Sequence, residues 1–243
     1  EFRRVLFRSL WAGWECQDLS PAGSGQGLAG RRSSTFYPLL KIVQYLQGAM
    51  GSCFGYVLEN TAMDVPWQDS KAVLRDYKVI KQALGEPVCA DAARFGSYAH
   101  RLRYYWTNLA QQPYLQLAVH SVKRPAGRTV KKILGAGRRC LPVRRDDTRP
   151  FYPCDRVGQP REALPTLMAT VQSYNFRPGR PGSIWDDAAA AWTEPTVTER
   201  EVALGYSWGA TAAPGVSDLV RHQVTGRSMD ANAVAALLAL SQQ

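Results

Sequence analysis

A chain of 243 residues, 45% of them hydrophobic, is long enough for one large domain or two small ones and can bury a core of real size. No apolar run approaches the roughly 20 residues of a membrane span, and no signal peptide is recognisable. Thirty basic against 20 acidic residues leave a formal charge of +10, which favours a polyanionic partner without requiring one. The five cysteines (Cys16, Cys53, Cys89, Cys140, Cys154) are odd in number and form no CxxC pair. They fit a reduced, intracellular compartment better than a disulfide framework. His100, His120 and His222 are scattered, which argues against a metal cluster.

The opening EFRRVLFRS, residues 1–9, reads as an artefact or a charged lead-in. Leu10 to Trp14 then reads as a short buried strand ending just before Cys16. Ser20 to Ser34 carries Gly23, Gly25, Gly27 and Gly30 and reads as a mobile loop; no Lys follows the glycines as a phosphate-binding P-loop requires. Ser34 can cap a helix whose Phe36, Leu39, Leu40, Val43 and Leu46 share one face. Phe54 to Leu58 reads as a buried strand with Glu59 and Asn60 at its exit. Ser70 caps a second helix, with Val73, Leu74, Tyr77, Ile80 and Leu84 inward and Gly85 ending it. PVCAD is a third strand, and RLRYYWTNL a fourth with alternating character. This order points to an α/β sheet, mostly parallel, in which chemistry gathers beyond the carboxyl ends of the strands.

From Gln111 to about Trp192 helical periodicity fades, and Pro, Gly and Arg increase. Between Lys123 and Arg145 lie nine cations and no acid: Lys123, Arg124, Arg128, Lys131, Lys132, Arg138, Arg139, Arg144 and Arg145. Such a run is either a solvated surface or a polyanion-binding one. Helical patterning resumes after Thr196, and an Ala/Leu helix begins near Asp230. The expected organisation is a catalytic α/β region over 10–110, a basic lobe over 111–195 and a helical return over 196–243.

Cys16, Glu59, Arg101 and Arg103 form a chemically coherent set. A thiolate can add to an electron-poor ring carbon. A carboxyl group can hydrogen-bond a ring nitrogen, and an arginine can hold a ring carbonyl oxygen. In the same order, WECQDLSPAGSGQGLAGRRSSTFYPLLKIV, YVLENTAM, DAARFGSYAHRLRYYWTNL, PTLMAT, TVTEREVALGY and GRSMDANAVAALLAL resemble the ordered segments of the C5-cytosine DNA methyltransferases, over about Leu10 to Leu240. The Arg-x-Arg segment is closest to that of the animal de novo enzymes.

The resemblance implies a Rossmann-like, S-adenosylmethionine-dependent methyltransferase fold with a small irregular target-recognition lobe. Cys16 would add to carbon 6 of cytosine. Glu59 would contact the ring nitrogen and exocyclic amine, Arg103 the carbonyl oxygen, and Arg101 would support Cys16 and the phosphates. Asn60 and Asn232 would lie at S-adenosylmethionine, with Asn60 also bracing the strand exit. Lys123, Arg124, Arg128, Lys131, Lys132, Arg138 and Arg139 would hold double-stranded DNA, with the cytosine flipped out. No metal is implied, and a eukaryotic member would be nuclear.

Two departures stand out. Glu15 replaces the proline that normally precedes the cysteine, and a carboxylate beside a thiol opposes its ionisation. The family's Gly-rich cofactor segment is not found before Cys16, so the chain reads as the C-terminal two thirds of a catalytic domain, inactive by itself. Two alternatives stay open: an inactive methyltransferase-like binding module, and a tRNA cytosine-5 methyltransferase. A cysteine hydrolase using His100 or His222 lacks a partner motif.

Overall fold

The computed structural model describes residues 9–147 and 156–242. Residues 1–8, Cys154 and Gln243 lie outside that range. The chain divides into two compact units.

The first unit takes the described residues up to Ala90, then Arg103–His120 and the last residues from Leu240. Its strands are β1 (Ser9–Gly13), β2 (Gly55–Thr61), β3 (Val88–Asp91) and β4 (Leu102–Thr107), in the sheet order β1-β2-β4-β3. Its helices are α1 (Phe36–Met50), α2 (Lys71–Leu84) and α3 (Gln112–Ser121). β1 and β2 are parallel, with Gly13 opposite Glu59. β2 and β4 are antiparallel, with Glu59 opposite Tyr105 and Thr61 opposite Arg103. The sheet is therefore mixed rather than mostly parallel.

β2 runs on through Glu59 and Asn60, so both sit inside the strand rather than at its exit. β4 does not alternate: Tyr104, Tyr105 and Trp106 are all buried, because helices or loops cover both faces there. Trp106 and Phe36 flank Trp14, with ring centroids 5.4 and 5.2 Å away, and this aromatic wedge fixes the chain just past β1.

α2 forms as its sequence dictates. Ser70 accepts the Val73 N–H, and Val73, Tyr77 and Ile80 face the core. α1 starts differently. Thr35 occupies the cap position but its hydroxyl donates back to the Arg32 carbonyl instead of capping, and the Ser34 hydroxyl turns back to the Arg31 carbonyl. Only Phe36 and Val43 of its apolar face are fully buried.

The second unit takes Asp91–Leu102 and Ser121–Ala239. The expected boundaries at 110 and 195 do not coincide with these divisions. The lobe is less irregular than its composition implies. β5 (Arg138–Cys140), β6 (Ile184–Asp186) and β7 (Ala191–Thr193) make an antiparallel three-stranded sheet. Helices α4 (Val197–Ala203), α5 (Asp218–Arg227) and α6 (Ala231–Ser241) follow. The core gathers Ala99, Val130, Ile133, Leu164, Leu167, Phe176, Ile184, Ala203 and Leu204. Among the described residues no helix is long and apolar enough to cross a membrane.

Candidate active site

Register brings Glu59 and Arg103 together. Gly13, Glu59 and Tyr105 stand in one row across β1, β2 and β4, and Arg103 lies two residues along β4 on the same face. A diagonal pair of that spacing is within reach of long side chains. Arg103 Nε lies 2.7 Å from Glu59 Oε1, and both side chains are about nine-tenths buried. Gly13 makes room for the pair: a Cβ there would sit 3.0 Å from the Glu59 carbonyl oxygen and 3.3 Å from Oε2.

Cys16 follows three residues after Gly13 and is half-buried. Burial opposes the charge of Arg103, but Glu59 and Cys16 outweigh it and hold the guanidinium above its ordinary range. Thiol, carboxylate and guanidinium therefore share one electrostatic site in the first unit. Glu15 is solvent-exposed, so water screens its carboxylate. Its backbone has a structural role: its carbonyl accepts from Ser33 Oγ.

The segment carrying Cys16 is fastened from two sides. Asn60 Nδ2 donates to the Trp14 carbonyl at 2.8 Å, while Asn60 Oδ1 accepts the Thr61 N–H. Asp18 accepts the N–H groups of Arg32 and Ser33 and the Ser24 hydroxyl. Burial works against the Asp18 charge, yet these bonds keep its carboxyl below the usual range.

The Gly-rich stretch is consequently tied down rather than loose. Asp76 accepts the Leu28 N–H at 2.7 Å, Ser70 Oγ donates to the Gly25 carbonyl at 2.6 Å, and Gln68 donates to the Leu19 carbonyl. Gly30 is required by close approach, since a Cβ there would lie 2.2 Å from Asp18 Oδ2. Sequence reasoning misses Gly13, Asp18 and the Asn60–Trp14 bond. A glycine facing Glu59 becomes legible only once the β1–β2 register is known.

Arg101 and Asn232 belong to the second unit. The Arg101 guanidinium donates to the Gly226 carbonyl, and its backbone N–H donates to Asp91 Oδ1. Asp91 Oδ2 pairs with His100 Nδ1 at 2.7 Å, and both residues are buried. Asn232 Nδ2 donates to Ser97 Oγ, which itself donates to the buried Asp230.

Both asparagines also hold the fold itself together. Asn60 has both ends of its amide bonded to the backbone. Asn232 is bonded to Ser97 and packed so closely on Gly205 that a Cβ there would meet its Nδ2 at 2.4 Å. Among the described residues there is no group of His, Cys, Asp and Glu that could hold a metal ion.

The basic residues divide by environment. Arg124 donates to Glu162 and to the carbonyls of Ala93, Ser97 and Glu162, with 8% of its side chain exposed. Arg128 donates to the Gly96 carbonyl and lies over the Tyr98 ring. Arg138 is clamped by Glu199, Asp186 and the Glu194 carbonyl. These three arginines help to assemble the fold. Lys123, Lys131, Lys132, Arg139, Arg144 and Arg145 are exposed.

No protein-family model matches the chain, and no curated protein does either. Solved structures do. The methyltransferase EhMeth of Entamoeba histolytica is similar at 13% identity and a TM-score of 0.54, over 96% of this chain and 76% of that one. The Dnmt2 methyltransferase of S. pombe is similar at 14% identity and 0.55, over 96% and 77%. A DNMT2 variant of Spodoptera frugiperda is similar at 12% identity and 0.53, over 97% and 80%. The fold is thus the Rossmann-like fold of the S-adenosylmethionine-dependent methyltransferases. Within that class, the solved structures it resembles include Dnmt2 enzymes.

Proposed function

We propose that the first unit activates cytosine in a nucleic acid for methylation at carbon 5. The supporting observation is the cluster itself: Glu59 and Arg103 ion-paired on one sheet face, with Cys16 close enough to act on the same guanidinium. In this reading the Cys16 sulfur forms a bond to carbon 6, and the C5–C6 π pair moves toward the ring nitrogen and carbonyl oxygen. Glu59 meets the ring nitrogen and Arg103 the carbonyl oxygen, where charge accumulates. When carbon 5 has been substituted and has lost its proton, the C–S bond breaks and the sulfur leaves with its electron pair.

S-adenosylmethionine is the donor the fold implies. Resemblance favours double-stranded DNA as the partner, and tRNA is the alternative. The test is transfer of a labelled methyl group to each, alone and in competition. Label on DNA that disappears in Cys16→Ser, with DNA binding retained, is the expected result. Normal turnover by Cys16→Ser overturns the nucleophile assignment.

A further inference from the structure

The small sheet of the second unit has two unlike faces. Register sets Cys140, Ile184 and Thr193 in one row, and Ile184 is fully buried in the unit's core. The adjacent row is Arg139, Trp185 and Trp192, one residue from each strand. Neighbouring residues of a strand point to opposite faces, so this row is on the outside. It is a built arrangement. The indoles meet edge to face at 5.4 Å, and the Arg139 guanidinium lies 5.8 Å over the Trp185 ring. Asp187 fixes both, accepting from Arg139 and from Trp185 Nε1. Both tryptophans are partly buried and keep part of their surface in water, and the Arg139 side chain is 62% exposed.

Indoles that keep ring surface on an outer face beside an arginine suit recognition of a partner. The occupant must suit flat ring surface and positive charge together. Arg139 is itself paired with Asp187, so further charge comes from exposed cations such as Lys131 and Lys132, on the turn Val130–Lys132 that contacts β5, in a chain of net charge +10. Unpaired nucleotides meet both demands, because bases stack on aromatic rings while phosphates track the cations. Duplex DNA meets only the second, since its ring faces are already stacked. We infer that the Arg139–Trp185–Trp192 row is a stacking platform for a single-stranded stretch of DNA. The inference deepens the nucleic-acid reading above and rests on it for the choice of polymer.

The test is fluorescence-anisotropy binding of the whole chain to a labelled single strand of about 12 nucleotides, within the span such grooves occupy, to the same sequence as a duplex, and to its RNA counterpart. Trp192→Ala and Trp185→Ala should each weaken single-stranded DNA by roughly tenfold, the effect of removing one base stack. Duplex affinity should change little, and Trp192→Phe should recover most of the affinity. Thermal unfolding of each variant shows whether the sheet is intact. Wild-type affinity in both alanine variants overturns the platform, as does an equal weakening for strand and duplex. A weakening confined to RNA overturns the assignment to DNA. Because binding is read without turnover, failure of Cys16 chemistry would leave this result standing.

Discussion

Gly13 carries more of the site than its size suggests. Its missing side chain leaves the space in which the Glu59 carboxylate sits against Arg103. Gly13→Ala should fold, because the new methyl needs only a few tenths of an ångström. It should displace the carboxylate and lower turnover by about tenfold or more, in keeping with the sensitivity of catalysis to small misplacements. Steady-state kinetics beside a melting curve separate the two effects.

Arg138 behaves in the opposite way. It is 10% exposed and pairs with Glu199, whose side chain is 2% exposed. Removing the guanidinium strands a buried carboxylate, so Arg138→Ala should cost about 3–5 kcal/mol in chemical denaturation. Lys132→Ala should cost almost nothing.

Asp230 supplies a pH dependence. Burial raises its carboxyl to about 6, against opposing bonds from Ser97 and the Ala233 N–H and the field of Arg101. The folded state then holds a proton that the unfolded chain releases near 3.8. This contribution is fully present below about pH 4 and is lost as pH rises through 6, a difference of about 3 kcal/mol. Asp230→Asn should remove that slope from the wild-type curve of stability against pH.

At the scale of elements, the helices are the most legible. α2 carries its own start and stop in Ser70 and Gly85, and its period names the buried Val73, Tyr77 and Ile80, though not the buried Asp76. α4 is equally explicit. Thr196 and Glu199 form a reciprocal capping box, and Glu199 goes on to hold Arg138 and the Gly135 N–H.

Sheet direction is not legible, because a strand's composition does not say which way its neighbour runs. β4 enters antiparallel to β2, and this places Arg103 diagonally across from Glu59. Cys16, Glu59 and Arg103 are legible as residue types in order. Their convergence depends on that pairing.

The order of the Gly-rich loop is hidden for a related reason. Composition reports the freedom of glycine, whereas the anchors come from Asp76, Ser70 and Gln68, some 45 residues or more along the chain. Asp18→Asn should loosen this element. Its amide oxygen can still accept from Arg32 and Ser33 while its NH2 turns to the Ser24 hydroxyl, but the bonds lose their charged acceptor, costing about 1 kcal/mol. Faster hydrogen exchange confined to residues 18–34 is the expected signature, and uniform exchange across α1 and α2 would contradict it.

For the whole molecule, the cation run has a divided meaning. Arg124, Arg128 and Arg138 are consumed by folding, so a count of cations overstates the charge left for a partner. Neutralising Lys131 and Lys132 should lower the slope of log affinity against log salt for duplex DNA by about 0.9 for each phosphate that a lysine neutralises. An unchanged slope would put those lysines away from the backbone path.

The proposed addition of Cys16 to the cytosine ring beside Glu59 and Arg103 can be trapped with an oligonucleotide carrying 5-azacytosine, whose carbon 6 is open to thiol addition. The complex is denatured and digested, and the modified peptide is sequenced by mass spectrometry. The proposed chemistry requires an adduct on Cys16 that is absent in Cys16→Ala and strongly reduced in Glu59→Gln. An adduct on Cys53 or Cys89 instead, or none on the wild-type chain while it binds the oligonucleotide, would contradict it.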